Sequence, residues 1–232
     1  MTAHLDPAPW ALPRPHHHST GFTPSAKPLP LEAREILDRL LCGNLRHAAG
    51  ERMATGMTKS RVLATVLTCC DLTPAPEQIF DTAPGELIVT ASAAHLVDTA
   101  ALVGVEYGVE ILKTPLVVVL AHEPCPIINR ITADIQHGHF PENHCRAVAE
   151  QLVLHTLAAE SNLSEITRRH LRASIVRLRE ASATLSGDLS TERSSLVGLS
   201  YNTRDRLVRQ IEPHPQSDSL DAVTSAMPQT TR

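Results

Sequence analysis

The sequence predicts an α/β protein with a central, mostly parallel β-sheet flanked by helices. Short β-branched apolar runs alternate with segments whose apolar residues recur at helical spacing, and turn residues separate the two. Strands that alternate with helices imply parallel pairing through right-handed crossovers. Aromatic residues make up only 3% of the 232 residues, so the core must consist mainly of Val, Leu, Ile and Ala.

The elements follow in order along the chain, without an internal repeat of solenoid length. Strands are predicted where apolar β-branched residues are continuous, as in a sheet buried on both faces. These strands are residues 61–70, 86–92, 116–121 and 194–203. The predicted helices are residues 31–51, 74–81, 96–112, 127–136, 142–160 and 164–180.

The chain should contain one domain, residues 30–211, because its length suits a single core of ordinary size. Residues 1–29 are rich in Pro and lack apolar periodicity, which indicates a disordered N-terminal tail. Residues 212–232 indicate a flexible C-terminal tail for the same reason. The histidine run 16–18 could bind a metal weakly, but a compositional accident is the favoured interpretation.

Composition excludes several classes of function. The net charge is −4 and no long basic run is present, so we expect no nucleic-acid partner. No apolar stretch approaches the roughly 18 residues of a membrane span, and the N-terminal residues lack the apolar region of a secretory signal. We therefore expect a cytoplasmic protein. Its five cysteines, an odd number, suit reduced thiols that serve a metal better than a disulfide framework.

Metal-ligating side chains follow two of the predicted strands. Cys69 and Asp71 stand at the end of the first strand, and His122 and Cys125 follow the third. Because ligands bind beyond the carboxyl ends of parallel strands, these four side chains should meet at one edge. Thiolates with an imidazole and a carboxylate favour Zn²⁺. From spacing alone, the alternative is a pair of buried free cysteines and a surface histidine.

Several segments in the correct order resemble the motifs of the β-class carbonic anhydrase family, including its entry helix, both zinc motifs and its last strand. The resemblance covers roughly residues 31–210. The matching segments are Leu40–Arg46, Cys69–Thr73, Pro74–Asp81, Pro84–Leu87, Glu106–Val109, Leu120–Cys125 and Val197–Tyr201.

This resemblance implies a β-carbonic-anhydrase-like sheet and a Zn²⁺ ion bound by Cys69, His122 and Cys125, whose fourth position alternates between water and Asp71. It implies an enzyme, a zinc lyase, in which a zinc-bound hydroxide converts carbon dioxide reversibly to bicarbonate and Asp71 is catalytic. It also implies a homodimer or homotetramer in which an N-terminal helix, here residues 32–46, contacts the partner.

The departures from the family pattern lie around the metal site. Thr73 stands where the family has an arginine that pairs with the aspartate, and Pro126 replaces a glycine. Because a threonine hydroxyl offers one neutral hydrogen bond, we expect Asp71 to be the resting fourth ligand. Two alternatives stay open: a different small electrophile such as a sulfur analogue of carbon dioxide, or a non-catalytic, zinc-stabilised binding or regulatory protein.

Two further residues near the predicted site have more than one interpretation. His95 stands where the family has an asparagine, and a structural role is favoured over a proton shuttle. Cys70 would point away from Cys69 if the strand continued, so we expect it in the core.

Overall fold

The computed structural model describes residues 28–52, 61–159 and 162–211. Five strands there form one sheet in the order β2-β1-β3-β4-β5. The strands are β1 (Ala64–Cys69), β2 (Leu87–Ser92), β3 (Leu116–Glu123), β4 (Ser195–Asn202) and β5 (Val208–Gln210). The helices are α1 (Leu31–Ala49), α2 (Pro76–Ile79), α3 (Thr99–Glu106), α4 (Pro126–Gln136), α5 (Arg146–Ala158), α6 (Leu163–Ala181) and α7 (Ala183–Ser190). The predicted α/β class with a mostly parallel sheet is confirmed.

The first four strands pair in parallel, and β5 runs antiparallel to β4 at one edge. Alternate residues of β3 face opposite sides of the sheet. Val118 and Leu120 pack in the cluster that contains α1, whereas Val117 and Val119 pack in the cluster that contains α3, α6 and α7. The sheet is therefore covered on both faces, which explains the continuous apolar runs of its central strands.

The segment Leu40–Arg46 docks α1 against the loop that follows α2. A Cβ atom on Gly43 would lie 1.8 Å from the Phe80 carbonyl oxygen, so only glycine permits this approach. Asn44 donates to the Arg206 carbonyl at 3.0 Å and accepts from the Val208 N–H at 2.7 Å. These contacts explain why the segment has glycine at position 43 and asparagine at position 44.

Several boundaries differ from the predicted ones. The helix predicted over 96–112 is α3, followed by a wider π-helical turn, Tyr107–Ile111. β3 continues through His122 and Glu123. α7 and β5 were not predicted, because α7 contains Gly and Ser and β5 has only three residues.

The predicted tails, 1–29 and 212–232, lie outside the described residues apart from Pro28 and Leu29. Leu29 packs against the cluster that contains α1. Among the helices that the structure describes, none has the length and apolar character needed to cross a membrane.

Candidate metal centre

Four side chains converge at the carboxyl edge of β1 and β3, as the sequence predicts. Cys69 is the last residue of β1, and Asp71 lies in the turn after it. His122 lies near the end of β3, and Cys125 caps the N-terminus of α4. Cys69, His122 and Cys125 are buried, whereas Asp71 is half-buried. The four residues thus combine an enclosed set of soft ligands with one carboxylate that solvent reaches.

The ligand atoms of this cluster all lie within 4.8 Å of one another. The two Sγ atoms are 3.9 Å apart, and Cys125 Sγ lies 3.9 Å from Asp71 Oδ1. His122 Nε2 donates to Asp71 Oδ1 at 2.8 Å. Within the described residues, this is the only group of three or more His, Cys, Asp or Glu side chains placed to hold a metal ion.

These separations suit a tetrahedral zinc site. Zinc–ligand bonds of about 2.0–2.3 Å place the ligand atoms roughly 3.3–3.8 Å from one another. The sulfur–sulfur and sulfur–oxygen separations, both 3.9 Å, lie just above that range, and the shorter His122–Asp71 contact is a hydrogen bond that a bound ion would replace. Two thiols, an imidazole and a carboxylate are also a donor set that selects zinc over magnesium or calcium.

Hydrogen bonds within the cluster shift the pKa values of all four candidate ligands. The hydrogen bond with Cys125, followed by burial, raises the pKa of Cys69, and the same bond lowers the pKa of Cys125. Burial raises the pKa of Asp71, but hydrogen bonds from Cys69 and His122 bring it below its ordinary value. Burial lowers the pKa of His122, but its contacts with Cys69 and Asp71 raise it overall. Because zinc binds the thiolate, metal binding must release a proton from Cys69.

The turn after β2, Ala93–His95, touches the cluster through its backbone. The Ala94 N–H donates to Cys69 Sγ at 3.0 Å. Ala94 has φ 52° and His95 has φ 45°, a left-handed conformation that non-glycine residues rarely adopt. The fold therefore holds two non-glycine residues in a conformation that usually requires glycine.

Three histidines lie behind this turn. His95 is buried and stacks on His170 of α6 with ring centroids 4.6 Å apart, and His155 of α5 lies 6.1 Å from His170. His95 Nδ1 contacts Ser174 Oγ at 3.2 Å, and His170 Nε2 donates to the Ala94 carbonyl at 2.9 Å. Burial lowers the pKa of His95 and of His155 to about 4 and that of His170 well below its ordinary value.

Sequence reasoning did not find His170 or Ser174. The signal that could have found them is the buried face of α6, where three polar residues, Thr167, His170 and Ser174, stand among apolar ones. Cys70 is exposed, so its expected place in the core is wrong: β1 ends at Cys69, and Cys70 belongs to the turn. Thr73 is also exposed, and in the described part of the chain no hydrogen bond joins it to Asp71.

An open, mostly parallel sheet with a Cys, Asp, His and Cys cluster at its carboxyl edge defines an α/β protein with a candidate transition-metal centre. Residues 64–208 match the carbonic anhydrase family model. A carbonic anhydrase of Mycolicibacterium smegmatis is 30% identical over 176 residues, which cover 70% of this chain and 85% of that protein. Carbonic anhydrase 2 of Mycobacterium tuberculosis is 31% identical over 163 residues, which cover 68% and 76%.

Solved structures share the fold. A Coccomyxa β-carbonic anhydrase in complex with acetazolamide has a TM-score of 0.57 at 17% identity, covering 78% of this chain and 84% of that one. A tetrameric β-carbonic anhydrase of Sordaria macrospora also scores 0.57, at 16% identity and with coverage of 72% and 85%. The chain belongs to the β-class carbonic anhydrase family, and membership makes it a lyase of the carbonate dehydratase type. These likenesses do not favour the alternative functions.

Proposed function

We propose that this protein catalyses the reversible hydration of carbon dioxide to bicarbonate with a zinc ion held by Cys69, His122 and Cys125. The observation that carries the proposal is the convergence of these three soft ligands and Asp71 within 4.8 Å. Bound zinc would supply Lewis acidity, which activates water for attack on carbon dioxide. The protein residues fix the ion, enclose it on the side of β1 and β3, and control its fourth position.

Asp71 is the residue that controls the fourth position in this proposal. Its carboxylate lies against His122 Nε2 and about 4 Å from Cys125 Sγ, at the spacing of a fourth ligand. Thr73 stands where the family has an arginine, so no charged partner at that position draws the carboxylate away from the metal. Coordination to the ion therefore stabilises the carboxylate more than a contact with a neutral hydroxyl would. With zinc bound, Asp71 would close the resting site and would have to leave before water could bind.

Metal content and activity test the proposal together. Protein purified without added metal should contain about one zinc per chain by elemental analysis. Cys125→Ser should lower zinc affinity by more than about 100-fold, a larger loss than outer-sphere changes produce, and abolish hydration in a stopped-flow assay. Cys70→Ser is the matched control, because its thiol is adjacent to the cluster in sequence but exposed. If the wild-type protein binds zinc but does not hydrate carbon dioxide, the zinc site stands and the proposed activity is overturned.

The closed site predicts a pH profile. Activity should be weak near pH 7 and should rise on the alkaline side, because deprotonated water competes better with the Asp71 carboxylate for the fourth position. Full activity at pH 7 would contradict the closed site. So would a crystal structure near pH 7 in which Asp71 lies well beyond the roughly 2.0–2.2 Å coordination distance.

A homodimer or larger even assembly is part of the proposal, as is a cytoplasmic location, where thiols stay reduced. Support comes from apolar side chains that are at least half exposed on two helical segments. Leu31 and Leu45 lie on α1, and Val103, Tyr107 and Ile111 lie at four-residue spacing on α3 and the turn after it. Sedimentation equilibrium at micromolar concentration checks this, and a pure monomer of 25.2 kDa would reject it.

A further inference from the structure

The backbone of Ala94 connects the candidate metal centre to a buried imidazole. Its N–H donates to Cys69 Sγ at 3.0 Å, and its carbonyl accepts from His170 Nε2 at 2.9 Å. His170 is fully buried on α6, and the sequence places it 76 residues from Ala94. One helix therefore fixes a residue whose amide contacts a metal-ligand sulfur on the sheet.

The hydrogen-bond partners define which nitrogen of each ring carries the proton. The Ser174 hydroxyl donates to the His170 carbonyl at 3.0 Å, so its oxygen accepts from His95 Nδ1–H. The Ala94 carbonyl can only accept, so His170 carries its proton on Nε2. Burial keeps both rings neutral, which makes this arrangement of donors the stable one.

The stacked pair restrains a turn that would otherwise relax. Ala94 and His95 both have positive φ, and neither is glycine. His170 fixes the turn from the Ala94 carbonyl, and the stacked His95 ring with its Ser174 contact fixes the next residue. Without these contacts, the turn could relax toward right-handed φ values and withdraw the Ala94 N–H from the sulfur.

We propose that His170 is a positioning residue for the metal centre, which holds Ala94 so that its N–H stays hydrogen-bonded to the Cys69 thiolate. An N–H bond to a thiolate draws charge away from the sulfur, so less charge reaches the ion and its Lewis acidity is preserved. In a site with two thiolates and with threonine rather than arginine at position 73, this contact offsets part of the excess charge. The inference rests on the proposed zinc site.

Two substitutions at His170 separate the hydrogen bond from the packing. His170→Phe keeps a ring that can stack on His95 but removes the donor. His170→Gln removes the ring but places an N–H near the position of Nε2. Each variant is loaded with Co²⁺ to record the thiolate-to-cobalt charge-transfer band, and its zinc affinity is measured by competition with a chelator. Circular dichroism checks that each variant is folded.

In His170→Phe, the band should move to longer wavelength and zinc affinity should fall about 10-fold or more, the loss typical of a removed outer-sphere partner. In His170→Gln, both should stay close to wild type. Identical shifts in the two variants would assign the effect to packing and overturn the inference, as would an unchanged His170→Phe. If His170→Phe does not fold, Ser174→Ala decides: a smaller shift in the same direction supports the inference, and none overturns it.

Failure of the inference and failure of the proposed function give different results. Wild-type protein that takes up neither zinc nor cobalt would overturn the zinc site, and the inference with it. Wild-type protein with a normal thiolate–cobalt band, and a folded His170→Phe with the same band and affinity, would overturn only the role of His170.

Discussion

The turns that follow β1 and β2 lie side by side at the candidate metal centre but are held in different ways. The turn after β2 is buried at Ala94 and His95, and hydrogen bonds tie it to β1 and α6. The turn after β1 carries Asp71, and its own exposed Thr73 gives the carboxylate no hydrogen bond. The fold holds the backbone of the turn after β2, whereas the Asp71 carboxylate of the turn after β1 is held by the other candidate ligands and by the Ile127 N–H of α4.

This difference separates the four candidate ligands into two groups. Cys69, His122 and Cys125 are placed by strands, a helix terminus and backbone N–H groups. The carboxylate of Asp71 is placed by contacts with His122 and the thiols and by the Ile127 N–H, and it is the most exposed of the four. A fixed set of three ligands with one exchangeable ligand is the arrangement that a catalytic zinc site needs.

Acid should lower the stability of the fold through the histidines behind the turn after β2, and this is the largest effect we expect. His95 and His155 have pKa values of about 4 when folded, below their unfolded value near 6.5. The unfolded state then binds more protons between these pH values. The free energy of unfolding therefore falls as pH decreases from about 6.5 to about 4, by roughly 1.4 kcal/mol per pH unit for each histidine.

Urea unfolding of the metal-free protein between pH 4 and 7.5 measures this loss without a contribution from zinc release. The slope near pH 5 should correspond to about two protons or more, since His170 acts in the same direction. His155→Gln should remove about one of them, and His139→Gln, at an exposed position, is the matched control. A profile that is flat from pH 4.5 to 6.5 would show that these side chains are not held neutral.

The loosely held turn after β1 should respond to a charged donor. Thr73→Arg places a guanidinium two residues from Asp71, at an exposed position with room for a longer side chain. A hydrogen bond to a charged group contributes about 1.5–3 kcal/mol, so hydration at pH 7 should rise about 10- to 100-fold as the carboxylate leaves the fourth position. Stopped-flow rates at pH 7 and pH 9 measure it, and the gain should be smaller at pH 9.

Thr73→Gln is the control for this change, because it adds a long side chain with a neutral donor. It should raise the rate at pH 7 much less than arginine does. Equal rates for the two variants, or no increase in either, would mean that the carboxylate is held by a residue other than the one at position 73.

The smallest effect concerns strain in the turn after β2. Glycine at position 94 removes the cost of a left-handed residue, about 1–2 kcal/mol, but loses a buried methyl group and adds freedom to the unfolded chain. These changes nearly cancel, so Ala94→Gly should alter the free energy of unfolding by less than about 0.5 kcal/mol. Ala101→Gly, at an equally buried right-handed helical position, should lower it by roughly 1.5–2 kcal/mol. If both substitutions lower the free energy of unfolding by the same amount, the turn carries no strain.

The sequence predicted the turn after β1 better than the turn after β2. Cys69, Asp71, His122 and Cys125 were found because strand ends are easy to locate and parallel strands deliver their ends to one edge. His170 and Ser174 were not found, because a helix of mixed polarity does not indicate which distant turn it contacts. His95 was noticed only through its place in the family pattern, and its stacking partner lies 75 residues further along the chain.

Asn44 sets a condition on how the chain folds during its synthesis. Two of its side-chain partners, the Arg206 carbonyl and the Val208 N–H, lie 162 and 164 residues further along the chain, whereas a third, the Ile79 carbonyl, lies only 35 residues away. A ribosome therefore produces α1 long before the first two groups exist, and β4 must also arrive before the sheet is complete beside β3. Among the described helices, α1 can thus dock early on the loop after α2, but its hydrogen bonds to β5 and to the turn before β5 form only near the end of synthesis, and until then that part of the helix is exposed to chaperones and to other nascent chains.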